Sequence, residues 1–216
     1  MKLTTTDFIK VRNSIIIFYL VGSIGFVVPV FFEYFKSLTS LALIVNFILL
    51  SFFHEDKTPI VQWFVFATIY FLGLLIEVLG VQSGLIFGNY YYGEALGFKV
   101  FGTPLLIGLN WLFLVYVSSS LFVKTNINSY LKVFLASTIM LLYDILLEQI
   151  APMMELWFWK NDVVPIQNYL VWFIMALIFN IIVVFCNVNT HNRLAMTLLL
   201  CQTLFFFIVF LRFIIF

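Results

Sequence analysis

Long apolar runs, several close to the roughly 20 residues that cross a bilayer as a helix, follow one another along this 216-residue chain with short polar clusters between them. Charged residues make up 10% of the sequence, against about 25% in an ordinary soluble domain, and 64% of it is hydrophobic. In lipid each run must satisfy its own backbone hydrogen bonds, which helices do and open strands do not. The alternation of a transmembrane barrel is absent. The chain is therefore expected to be all-α, a polytopic membrane protein of about seven spans that forms a single integral membrane domain over residues 1–216.

The spans are expected near Ile15 to Phe32, Leu38 to Phe53, Ile60 to Gln82, Pro104 to Val123, Tyr130 to Ile150, Pro165 to Asn187 and Leu194 to Phe216. The second is short. The connections Phe53 to Pro59 and Asn187 to Arg193 are brief, so successive helices should pack as antiparallel neighbours. The first run follows Lys10 and Arg12 but is longer than a signal-peptide core, so it reads as a retained span. Lys2, Lys10, Arg12, Lys57, Lys124, Lys132 and Arg193 fall on the N-terminal side, and Lys36, Lys99, Lys160 and Arg212 on the other. This bias favours a cytoplasmic N-terminus. A net charge of +1 offers no electrostatic case for nucleic acid. Cys186 and Cys201 read as small buried hydrophobes. Oligomeric state leaves no trace in the sequence.

Two connections, both on the side opposite the N-terminus, break the pattern. Residues Gly80 to Pro104 hold Gly80, Gly84, Gly88, Gly93, Gly97 and Gly102 together with Tyr90, Tyr91 and Tyr92. Residues Ala151 to Asn168 hold Trp157 and Trp159. Interfacial aromatics anchor many membrane proteins, but anchoring needs no glycine lattice. The spacing of Gly80, Gly84 and Gly88 reads by default as close helix packing, and alternatively as a smooth groove for a long, flat ligand.

Three carboxylates, Glu77, Asp144 and Glu148, fall inside or at the ends of spans, where acidic residues are costly and usually functional. Asp144 and Glu148 are four apart and share a helix face. Two adjacent carboxylates in a low-dielectric site do not both ionise cheaply, so the pair is expected to hold a proton, as a general acid must. The plainer reading makes these residues interhelical hydrogen-bonding groups; their convergence on one membrane face favours a site. Asn110, Gln167 and Asn168 are candidates for capping helices, bonding across them or positioning water. His54 and His191 lie on the opposite side and read as solvated loop residues rather than metal ligands. The last expected span holds Arg212 but no lysine, which removes a retinal Schiff base. Phosphate-binding loops, a Gly-x-Ser-x-Gly elbow and an HExxH pair are missing.

Glu77, Gly80, Val81, Gly84, Phe87-Gly88, Tyr90, Tyr92-Gly93, Leu96-Gly97, Lys99, Gly102, Pro104 and Leu109-Asn110-Trp111 form a pattern that resembles the CruF-type membrane proteins of carotenoid biosynthesis. These are the carotenoid end-group hydratases, the bisanhydrobacterioruberin hydratase family. Asp144, Glu148, Ala151, Trp157, Trp159, Pro165, Asn168 and Trp172 extend the resemblance, while Gln149 and Val171 depart from it. The resemblance implies addition of water across the terminal double bond of an acyclic carotenoid, giving a tertiary alcohol. Asp144 or Glu148 would supply the proton, with Glu77 as partner or water-orienting base. Tyr90, Tyr92, Asn110, Trp111, Trp157, Trp159, Asn168 and Trp172 would bind the substrate, the aromatic rings among them stabilising the cation. The scheme requires neither metal nor organic cofactor, and the implied partners are the carotenoid and the lipid bilayer. Two other readings stay open: a non-catalytic carotenoid or lipid carrier or small transporter, and a cyclase that starts with the same protonation but excludes water.

Overall fold

The computed structural model describes residues 5–54 and 60–215. Lys2 and Lys57, used in the orientation reading, and the loop end Pro59 and chain end Phe216 lie outside the described residues. Eight helices are present among the described residues: α1 (Thr5–Val27), α2 (Pro29–Ser37), α3 (Thr39–Phe52), α4 (Ile60–Ser83), α5 (Leu106–Ser120), α6 (Ser129–Glu148), α7 (Ile166–Phe185) and α8 (Ala195–Ile215). Five are long and apolar enough to cross a membrane, and six if α2 and α3 count as one broken span. Their outward faces carry large apolar side chains, such as Trp63, Phe64 and Phe71 on α4, where a soluble protein would place charge. The chain is an all-α integral membrane protein.

The first two expected spans are redrawn at Pro29. Proline has no N–H and drives the residue before it out of helical geometry; Val28 is extended (φ −82°, ψ 116°) and Pro29 opens α2. The first helix thus stops at Val27 instead of reaching Phe32, and α2 meets α3 at 57°. α5 is shorter than its expected span: its 15 residues rise about 22 Å, less than the ~30 Å hydrocarbon core. It is buried along almost its whole length, as befits a helix apolar on every side. Cys186 is exposed rather than buried.

The most extensive helix contacts are α6 on α7, α1 on α8 and α4 on α5, two of them between sequence neighbours. At one end of the bundle His54 bridges Asn192 and Arg193 lies 4.3 Å from the centre of the Phe8 ring. His54 also meets the Tyr116 hydroxyl at 2.5 Å and is half-buried, so it is packed rather than solvated. At the other end Lys36 pairs with Glu155 at 2.7 Å and Arg212 Nε donates to the Val27 carbonyl at 3.1 Å.

The same end carries the two irregular connections. They meet as an antiparallel ribbon of β1 (Tyr90–Tyr92) and β4 (Trp157–Trp159). A second short pair, β2 (Lys99–Val100) and β3 (Thr103–Pro104), folds the chain back into α5.

Candidate active site

Each strand of the ribbon is three aromatic residues long, and alternation along a strand sorts them into two faces. Tyr90 pairs with Trp159 and Tyr92 with Trp157, while Tyr91 faces Phe158. Trp157, Trp159 and Tyr92 are buried and Tyr90 is half-buried, whereas Tyr91 is exposed and stacks on Phe158 at 5.3 Å. Backbone hydrogen bonds from Gly93 N to Leu156 O (3.0 Å) and from Lys160 N to Asn89 O (2.9 Å) extend the pairing. A side chain at Gly93 is impossible without displacement, since a Cβ there would lie 2.2 Å from the Glu155 carbonyl oxygen.

The inner face of the ribbon holds two of the three carboxylates. Glu77, on α4, receives hydrogen bonds from the Tyr90 hydroxyl (2.6 Å) and Tyr92 hydroxyl (2.8 Å) on Oε2, and from the Trp111 indole N–H (3.0 Å) on Oε1. Glu148, at the end of α6, receives the indole N–H groups of Trp157 (2.9 Å) and Trp159 (2.7 Å) on Oε2 and the Asn168 amide (2.9 Å) on Oε1. Asp144, one turn earlier, is 0% exposed. Its Oδ2 has a long contact of 3.4 Å with the same Asn168 amide, and its Oδ1 has no hydrogen-bond partner among the described residues. No ion pair joins any of the three to a cation among the described residues. Burial raises the Tyr90 and Tyr92 hydroxyls well above the ordinary phenol range, and the nearby Glu77 charge adds to the effect. Both stay O–H donors.

Trp172 on α7 stacks on Trp111 with ring centres 3.9 Å apart. Glu77, Tyr90, Tyr92, Glu148, Trp157, Trp159, Asn168 and Trp172, all singled out in the sequence, surround one small void together with Phe87 and Ile107. The centre of a water molecule has about 10 Å³ there, enough for a single molecule. Asp144 lies behind Glu148 and Trp111 behind Glu77. Asn110 lines a different and larger space.

That space is an apolar cavity of about 360 Å³ walled mainly by α1, α3, α5, α6, α8 and the loop before β4. Ile107 and Trp157 are walls of both the cavity and the void, so the two are adjoining. Phe18, Val21 and Leu41 line the cavity and are also exposed on the outside of the bundle, which places its mouth between α1 and α3, toward lipid.

The glycine spacing has a different meaning from the one expected. α4 ends at Ser83, so Gly84 and Gly88 lie beyond the helix and form no packing stripe. Gly84 accepts a positive φ of 64° at the helix end, where its N–H caps the Gly80 carbonyl at 2.9 Å. The space beside Gly80 is filled by the chain's own Phe87 and Tyr90. Gln167 reaches across to the carbonyls of Leu85 and Ile86, the latter at 2.7 Å. Sequence reasoning missed Ile107, which carries no chemical signal, and the ribbon itself, and it named Phe87 in the family pattern without a place in the site. The signal for the ribbon was the pair of three-residue aromatic runs, each of strand-forming residues.

Fold and site together define a polytopic helical membrane protein with a buried, water-sized acidic site beside a lipid-facing apolar cavity. The chain belongs to the carotenoid biosynthesis protein family, which it matches over residues 37–216. That membership places it in carotenoid biosynthesis, with a carotenoid as the implied substrate. No curated protein and no solved structure matches the chain.

Proposed function

We propose that the protein is a hydratase that adds water across the terminal C=C of an acyclic carotenoid end group to give a tertiary alcohol. The observation that carries this reading is the single-water void. Glu77 and Glu148 face it from two helices, six aromatic side chains close around it, and an apolar cavity adjoins it.

In this scheme the end group enters from lipid through the mouth between α1 and α3, and its terminal alkene passes Ile107 and Trp157. The Asp144–Glu148 pair carries one proton. Asp144 is its resting place, because Oδ1 has no donor to accept from, and Glu148 delivers it, because Glu148 faces the void. The alkene π pair forms the new C–H bond and leaves a tertiary cation, attracted by the ring faces of Tyr90, Tyr92, Trp157, Trp159 and Trp172. Water held by Glu77 adds through its oxygen and gives its surplus proton to that carboxylate. Glu77 suits this role, since three donors fix both of its oxygens in place beside the void. Return of the proton to the pair completes the cycle: one alkene and one water become one alcohol. The bias of basic residues supports a cytoplasmic N-terminus, with the site at the external end.

The test is mass analysis of carotenoids from a host that accumulates an acyclic precursor and expresses the chain. A gain of one water per end group, with the hydroxyl labelled by heavy-oxygen water, is the expected result. Label arriving from oxygen gas would make the protein a hydroxylase, and no gain of water would favour a carrier.

A further inference from the structure

A second cavity lies at the end of the bundle opposite the acidic site, between the end of α5, the start of α6, the end of α7 and the loop that follows. It measures about 320 Å³, room for a ligand rather than a single water. Ser129, Lys132, Asn180, Asn187, Asn189 and Thr190 line it. Asn180 and Thr190 are 0% and 1% exposed and form its buried part, while Ser129 and Asn187 are exposed at the rim. The buried part is held by packing between three helices. Asn180 donates to Ser137 Oγ at 3.2 Å and to the Ala176 carbonyl at 2.9 Å, and accepts from Ser119 Oγ at 2.6 Å.

Lys132 carries the only charge on these walls among the described residues. It is half-buried, and no carboxylate among the described residues pairs with it. A cation withdrawn from water without a counter-ion is costly, so the cavity favours an anion. α6 begins at Ser129 on the same wall, and a helix start adds partial positive charge. Hydroxyl and amide groups around the lysine suit the oxygens of a phosphate and of hydroxyl groups beside it. An ammonium group would find no carboxylate there.

The cavity continues onto an aromatic surface that faces lipid. Tyr130 and Phe185 follow the wall residues Ser129 and Val184 in sequence; both are exposed, with ring centres 5.9 Å apart. Phe134, one turn further along α6 and also exposed, lies 6.1 Å from Phe173 on α7. A polar, cationic pocket thus adjoins an apolar track along two helices.

We propose that this cavity binds the headgroup of an anionic phospholipid. Its phosphate sits on Lys132, its headgroup hydroxyls lie among Thr190 and the asparagines, and its acyl chains run along the aromatic face of α6 and α7. The site is separate from the acidic one and stands whatever reaction is catalysed there.

The test is native mass spectrometry of the full chain released from detergent, titrated with phosphatidylglycerol and with phosphatidylcholine of the same acyl chains. Phosphatidylglycerol is expected to bind about ten-fold tighter or more, since hydrogen bonds to a charged partner are the strong ones. Equal affinity overturns the proposal and needs no variant to fold. Lys132→Met should abolish the preference. Lys124→Met removes an exposed lysine outside the cavity and should cost no more than about five-fold, the diffuse attraction of one lysine to an anionic lipid. A preference that survives Lys132→Met, or that falls equally in both variants, overturns the assignment. Soluble glycerol phosphate separates a lipid from a free phosphate. Without acyl chains it should displace phosphatidylglycerol only at a concentration higher by on the order of a hundred-fold. Displacement at equal concentration would make the ligand a soluble anion and overturn the lipid site.

Discussion

Tyr92 and Trp157 face each other across a two-stranded ribbon, and their side chains bond to different carboxylates: Tyr92 to Glu77 and Trp157 to Glu148. The next pair repeats the arrangement, with Tyr90 on Glu77 and Trp159 on Glu148. A feature of six residues outside the membrane helices thus joins an acid on α4 to an acid on α6. Removing one donor therefore disturbs the geometry between the two acids. Tyr92→Phe and Trp157→Phe are expected to lower product yield at least ten-fold while the protein still folds, because each carboxylate keeps two of its three donors. Carotenoid analysis beside folded yield in detergent checks this.

Asp144→Asn and Glu148→Gln keep size and hydrogen-bonding capacity but supply no acidic proton. General acid catalysis contributes about a hundred- to ten-thousand-fold, so each variant is expected to lose at least two orders of magnitude in product formation while retaining polyene binding. A loss of merely half would remove the pair from the donor role.

Gly93→Ala is expected to break the ribbon, since its Cβ would lie 2.2 Å from a backbone carbonyl that has no side-chain freedom. Gly22→Ala is the control. There a Cβ would meet Phe205 at an ordinary 3.7 Å, and alanine gains helix propensity of up to about 1 kcal/mol. Melting temperatures in detergent should fall for the first and hold or rise for the second.

Tyr90 and Tyr92 are expected to stay protonated in the folded protein past the pH of about 10 at which free tyrosines ionise. The sign follows from linkage. Their raised folded-state values give a contribution to stability that is complete below pH ~10 and declines above it, where the unfolded chain ionises first. A tyrosinate absorbance titration of Tyr90→Phe should lose no amplitude near pH 10 relative to the unmutated protein. A missing increment there would show an ordinary, accessible phenol.

With the N-terminus cytoplasmic, single cysteines at Lys124 and Lys132 should resist an impermeant reagent in intact cells, and one at Lys160 should react. The reverse pattern would turn the molecule over and move the acidic site to the cytoplasmic face.

The helical membrane class was legible in the sequence because hydrocarbon imposes one strong rule: each spanning segment must be apolar and must satisfy its own backbone. The acids were legible for the same reason, since Glu77, Asp144 and Glu148 violate that rule and stand out against it. Their partners were legible as residue types, but the pairing was not. Nothing local assigns Trp111 to Glu77 and Trp157 to Glu148, or places Asp144 behind Glu148 with Oδ1 unpartnered; those depend on how α4, α5, α6 and the ribbon pack. Gly80, Gly84 and Gly88 carried a misleading period, because a spacing of four describes a helix face only while the helix lasts, and α4 stops at Ser83. The apolar cavity was invisible for a further reason. Its walls come mainly from α1, α3, α5, α6 and α8, and apolar residues that line a cavity are the same residues that fill a core. Whether packing leaves a space between them is decided by the tertiary structure alone.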